Sequence, residues 1–219
     1  MTAIEQRLEN ESSTWTATRI ATVLVLVAVI AAIAGYFVSE MQTPGATSAD
    51  VGFARDMSEH HRQAVEMSRL LYDRTDDDVL RTVAYDIMIT QQGQIGIMTG
   101  YLSAWGHPIA DLGPRMEWMG MSVDGLMPGM ATREEMNTLA AADGREAEIL
   151  FLQLMIPHHV SGVEMAEAAA EEAQTEIVRN LANSMAQAQQ SEIDYMQDLL
   201  VERGEEPVAV DAVMDHGDH

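Results

Sequence analysis

FARDMSEHHRQAVEMSRLL (Phe53–Leu71) returns at an offset of 98 residues as FLQLMIPHHVSGVEMAEAA (Phe151–Ala169). The phenylalanine, the first methionine, the histidine pair and the Val-Glu-Met run all keep their register. Without a gap, Arg81 then falls on Arg179, Gln91 and Gln92 on Gln189 and Gln190, Ile95 on Ile193, Met98 on Met196 and Gly106 on Gly204. The chain therefore carries one unit twice, and a duplication preserves packing positions and site positions alike. Histidine separates the two, because a buried imidazole needs both a donor and an acceptor partner and an adjacent pair makes poor core filler. His60, His61, His158 and His159 are accordingly the leading ligand candidates.

Working outward, the spacing predicts a helix from about Val51 to Tyr72, and a second that opens at Asp76–Asp78 and runs to about Ala104 before Gly106 and Pro108. The segment HPIADLGPRMEWMGMSVDGLMPGM reads as a long connection rich in Gly, Pro and Met. Thr132 to Glu135 is a capping-box pattern for a short helix over 133–141, ended by Asp143 and Gly144. A third long helix follows to about Glu172, and a fourth from about Gln174 to Arg203. Pro157 lies inside the third helix and removes the bond to the Gln153 carbonyl, which predicts a kink there. Two hairpins, repeats 51–106 and 149–204 joined by the crossover 107–148, describe an all-α, ferritin-like four-helix bundle.

At 100° per residue, His60, His61, Ala64, Met67, Ser68 and Leu71 share one arc of about 120° with Met57. Met155 and Met165 repeat Met57 and Met67 in the second copy. On the following helix Met88, Gln91, Gln92, Ile95, Met98 and Leu102 form a stripe, answered by Gln189 and Met196 in the other half. Gln91 and Gln189 are candidates to orient the imidazoles, or else to pair with each other or with backbone. Asp56 and Glu148 are the nearest acids, and neither is read as repeating in the other half.

Composition narrows the chemistry. Thirty-five acids against twelve bases, every base Arg, give a net charge of −23. Such a surface repels phosphate backbones and excludes nucleic acid as a partner. No Cys is present, so disulfides, thiolate metal sites and thiol catalysis are all excluded, and seventeen Met are the only sulfur. Imidazole with thioether and few inward carboxylates selects copper(I) or silver(I), with copper(II) available through His alone. A di-iron site needs Glu from two helices and Glu-x-x-His on two more, a set this sequence lacks.

Ile20 to Val38 is an uncharged run of 19 residues, roughly 28 Å as a helix and enough to cross a bilayer core. It reads as an uncleaved anchor, with cleavage after Ala32-Ile33-Ala34 as the alternative. Arg7 and Arg19 precede it, so residues 1–19 read as a cytoplasmic tail and the duplicated domain as extracytoplasmic. Residues 39–50 read as a tether, and 205–219 as a disordered tail in which Asp215, His216, Asp218 and His219 are weak metal candidates. Met116, Met119, Met121, Met127 and Met130, with Trp118, either form a further soft-metal site or cover the bundle end.

These motifs resemble the family catalogued as domain of unknown function 305. The resemblance covers roughly Asp50 to Gly204 and rests on MSEHHRQAVEM (57–67), FLQLMIPHHVSGVEMA (151–166), the stripes Gln91-x-x-Gln94-Ile95-x-x-Met98 and Gln189-x-x-Glu192-Ile193-x-x-Met196, and the linker MPGMATREEMNTL. It implies a ferritin-like helical fold and, for some members, extracytoplasmic copper binding and tolerance. Gln94 stands in the first copy where the second has Glu192, a departure that argues against a required carboxylate ligand at that position. The leading expectation is a membrane-anchored protein that sequesters or delivers copper(I) through Met57, Met67, Met98, Met155, Met165, Met196 and the four histidines. A metal-dependent redox enzyme and a structural or stress-associated module with satisfied core histidines are the alternatives, and no protein partner is named.

Overall fold

The computed structural model describes residues 19–33, 35, 43–110 and 113–210. The chain divides into two compact units, Met1–Thr43 and Pro44–His219. In the first, residues 19–33 form a helix, α1. No helix among the described residues is long and apolar enough to cross a membrane. The span expected at 20–38 is therefore not found as such, its residues 34 and 36–38 lying outside the described ones together with 1–18, 39–42 and the tail 211–219.

The second unit is all-helical: α2 (Ala49–Tyr72), α3 (Asp78–Ala104), a 3-10 turn η1 (Glu117–Met119), α4 (Arg133–Ala141), α5 (Gly144–Glu172) and α6 (Glu176–Glu202). α2 packs on α3 and α5 on α6 as two hairpins, which meet through α2 and α5. Asp77 caps α3 by accepting from the Val79 and Leu80 amides, and Thr132 with Glu135 closes the capping box on α4. α5 runs unbroken through Pro157.

Helix α2 begins two residues before the expected Val51, and its first turn is buried. Asp50 accepts hydrogen bonds from the Gln174 and Thr175 amides at 2.7 and 2.9 Å. It thereby satisfies free donors at the turn ahead of α6. At an offset of 98 its counterpart is Glu148, which accepts from Thr75 Oγ1 at 2.8 Å and Arg203 Nε at 3.0 Å. Each acid ties the start of one hairpin to the other hairpin. Contrary to the sequence expectation, Glu148 does repeat, as Asp50; the pair stands three residues ahead of the first identity, Phe53 with Phe151, and differs in residue type.

The apolar interior forms two clusters that the duplication exchanges. Phe53, Met57, Met98, Leu102, Met165, Ala182 and Met185 belong to one. Their counterparts Phe151, Met155, Met196, Leu200, Met67, Ala84 and Ile87 belong to the other. Each cluster takes two of its three duplicated methionines from one hairpin and the third from the other, so neither hairpin completes a core alone. Burying one such side chain contributes about 1.5–3 kcal/mol.

Candidate metal centre

Along α2 the order Met57, His60, His61, Met67 passes from one cluster to the other, and along α5 Met155, His158, His159, Met165 passes back. The histidines therefore form a polar layer between two apolar cores. All four are fully buried, with Gln91 and Gln189 at 2% and 3% exposure. The sequence placed Met57 and Met67 on one face with the histidines, and the fold sets them on opposite sides of that layer.

Within the layer the duplication is visible as chemistry. His159 Nε2 donates to Glu192 Oε2 at 2.9 Å, and His61 Nε2 donates to Gln94 Oε1 at 2.8 Å. A neutral imidazole that donates from Nε2 leaves Nδ1 a bare lone pair. Ser161 Oγ donates to the His158 carbonyl and accepts from His60 Nε2 at 2.9 Å, which leaves His60 Nδ1 bare as well. The Nδ1 atoms of all four histidines, and His158 Nε2 besides, are buried without a protein hydrogen-bond partner.

His158 lacks the partner that His60 has because the counterpart of Ser161 is Gln63. That amide is turned outward, accepting from the Ala131 amide at 2.7 Å and donating to the Ala131 carbonyl at 2.8 Å. Burial holds His60 and His158 well below the ordinary imidazole value and brings His61 to about 3. The neighbouring imidazoles add to each depression, and at His61 the Gln94 bond opposes it. Neutral rings with free lone pairs are the form that binds metal.

The rings of His60 and His158 stack at 3.7 Å between centroids and 30° between planes. A metal–nitrogen bond lies in the ring plane. Two planes so close to parallel meet only well beyond bonding distance, so one ion cannot ligate both rings as they stand. Among the described residues no three His, Cys, Asp or Glu side chains converge as an oxygen-nitrogen metal set. Met57, Met67, Met98, Met155, Met165 and Met196, which bring sulfur to the two cores on either side of the layer, are all fully buried.

Residues 50–200 match the family described as Domain of unknown function (DUF305). The chain belongs to that family. A DUF305 protein of Streptomyces coelicolor is 50% identical, with a TM-score of 0.72 over 75% of this chain and 99% of that one. A DUF305 fragment from Deinococcus radiodurans is 28% identical, with a TM-score of 0.61 over 73% and 99%. CopM in its Cu(I)-bound form is 22% identical, with a TM-score of 0.54 over 70% and 96%, and shares the fold. No curated protein matches the sequence.

In this DUF305 chain Gln91 and Gln189 make no hydrogen bond to the imidazoles. Their side-chain amides lack hydrogen-bond partners, and the acceptors lie one turn further on, at Gln94 and Glu192. Both stand 33 residues after their histidine. A search for identities between the halves passes over them, because Gln and Glu differ in charge and share only an acceptor oxygen. Gln92 is exposed and Met88 partly so. Asp56 bonds elsewhere, accepting from the Met116 amide at 2.8 Å and Trp118 Nε1 at 2.9 Å.

Proposed function

We propose that this chain is a membrane-anchored, extracytoplasmic protein of ferritin-like connectivity that holds copper(I) and buffers it or hands it on. One observation supports this above the rest: five imidazole nitrogens without protein hydrogen-bond partners lie buried between two thioether-bearing cores. Leaving a buried polar atom unpaired costs about 1–3 kcal/mol, and ligation of a soft cation offsets that cost. CopM, which shares the fold, is known in Cu(I)-, Cu(II)- and Ag-bound forms. The absence of Cys suits an oxidising compartment, and the uncharged run 20–38 with Arg7 and Arg19 ahead of it suits an anchor with its N-terminus inside.

Because His60 and His158 cannot share an ion as stacked, the two copies act as two centres, each joining imidazole Nδ1 to thioethers of its own side. Competition titration against a chromophoric copper(I) chelator is expected to give about two tightly held ions in the bundle. Changing His60, His61, His158 and His159 together to Gln is expected to abolish that binding. Unchanged stoichiometry in a folded quadruple variant removes the proposal.

A further inference from the structure

Two cores exchanged by a duplication should carry equal sulfur, and they do not. The duplicated positions give Met57, Met98 and Met165 to one and Met155, Met196 and Met67 to the other. The first then gains Met185, where the second has Ile87, and five more from the crossover. Met116 and Met127 are buried in it, and Met119, Met121 and Met130 pack on it half-exposed. Nine of the chain's seventeen methionines thus gather at one end of the bundle.

A covering role alone does not call for thioethers. The opposite core is covered by α4 with the aliphatic Leu139 and a single methionine, Met136. The crossover is also held in place at several points. Asp56 grips Met116 and Trp118, Arg115 makes a two-pronged ion pair with Glu59 at 2.8–3.0 Å, and Gln63 clamps Ala131. Asp56, Glu59 and Gln63 follow one face of α2. At Gly129 the strap comes so near α5 that a Cβ would stand 2.5 Å from the Pro157 carbonyl and 2.7 Å from Ser161 Oγ. It therefore crosses directly over the serine that holds His60.

Met116 is the single non-glycine residue with positive φ (64°) among those described. A glycine there would avoid the strain that a side chain brings to this backbone conformation. A buried thioether occupies the position instead. The bridge between Arg115 and Val123 closes the Met116–Met121 turn into a small loop, with Met119 and Met121 amides both donating to the Met116 carbonyl.

We propose that this strap is a separate soft-metal site, in which Met119, Met121 and Met130 take up copper(I) or silver(I) from solvent above the buried Met116 and Met127. The identity of the ion rests on the proposed function, whereas the ligands are residues that the histidine layer does not use. A graded run of thioethers, from half-exposed to fully buried, is suited to accepting a weakly hydrated cation and passing it inward.

The test uses the full chain with 13C-labelled methionine methyls, titrated with Ag(I). The Met119, Met121 and Met130 methyl resonances are expected to shift together, and the variant M119L/M121L/M130L is expected to bind about one Ag(I) fewer per chain. Leu for Met conserves volume and leaves the fold in place. M136L, at the other end, is expected to bind like the parent. Strap methyls that stay still in the wild-type chain while other resonances titrate overturn the proposal, and that readout needs no variant. Histidine ring resonances followed in the same samples separate the two ideas. If the rings stay still while the strap methyls move, the strap site stands and the central copper centre falls.

Discussion

His60, His61 and His158 are held neutral in the layer, whereas the unfolded chain would protonate them near pH 6.5, and this difference makes stability depend on pH. The folded values of His60, His61 and His158 are depressed by burial. Stability in the metal-free protein is therefore fully present above about 6.5 and is lost as the pH falls toward about 3, the value at His61. Each of the three contributes a slope of up to about 1.4 kcal/mol per pH unit. Urea midpoints measured between pH 7 and pH 5 are expected to fall. Replacing His61 with Gln is expected to flatten the decline, and an identical decline in that variant would show that other groups carry it.

At the scale of elements, the strap is fastened by close approach as much as by hydrogen bonds, and two glycines make the approach possible. A Cβ on Gly52 would stand 2.2 Å from Trp118 Cδ1 and 2.8 Å from Trp118 Cβ. Gly52→Ala is expected to displace the indole, cost about 1–3 kcal/mol and move the Trp118 fluorescence toward that of exposed tryptophan. Gly129 adds a second constraint, since its φ is +72° and a Cβ would meet the backbone carbonyl of Pro157. Gly129→Ala is expected to destabilise the unit by at least a similar amount, with faster amide exchange over 115–131 than in the helices. Wild-type protection of the strap in Gly129→Ala would show that it is not fastened there. Truncating Asp50, which satisfies the turn before α6, is expected to cost about 1–2 kcal/mol in chemical denaturation.

For the whole molecule, a ligand that ties α2 to α5 through the layer stabilises only the folded bundle. At a free Ag(I) concentration a hundredfold above its Kd, each independent site adds about 2.7 kcal/mol. For a unit of this size that is roughly 5–10 °C in Tm. Calorimetry with and without Ag(I) checks this, and a melting temperature that ignores the metal argues for a purely structural role of the histidine pairs. The exchange of cores between hairpins makes a further expectation: Met57→Ala and Met155→Ala should each cost about 2–5 kcal/mol. Each empties a fully buried position in one of two equivalent cores.

The sequence by itself determined the duplication, the four long helices of residues 49–202, the hairpin pairing and the inward face of the histidines, because helical period and register are local properties of the chain. It also marked sulfur and imidazole as the chemistry at hand. Only the tertiary structure decided how those groups are shared. Met57 and Met67, neighbours on one helical face, fall on opposite sides of the polar layer because each core is closed by a methionine from the other hairpin. Gln94 and Glu192 in place of Gln91 and Gln189 follow from where α3 and α6 lie against α2 and α5, a distance no spacing rule contains. The methionine-rich connection was legible as composition alone. That it crosses α2 and α5 above Ser161 depends on Asp56, Gln63 and Gly129, which contact it from far along the chain.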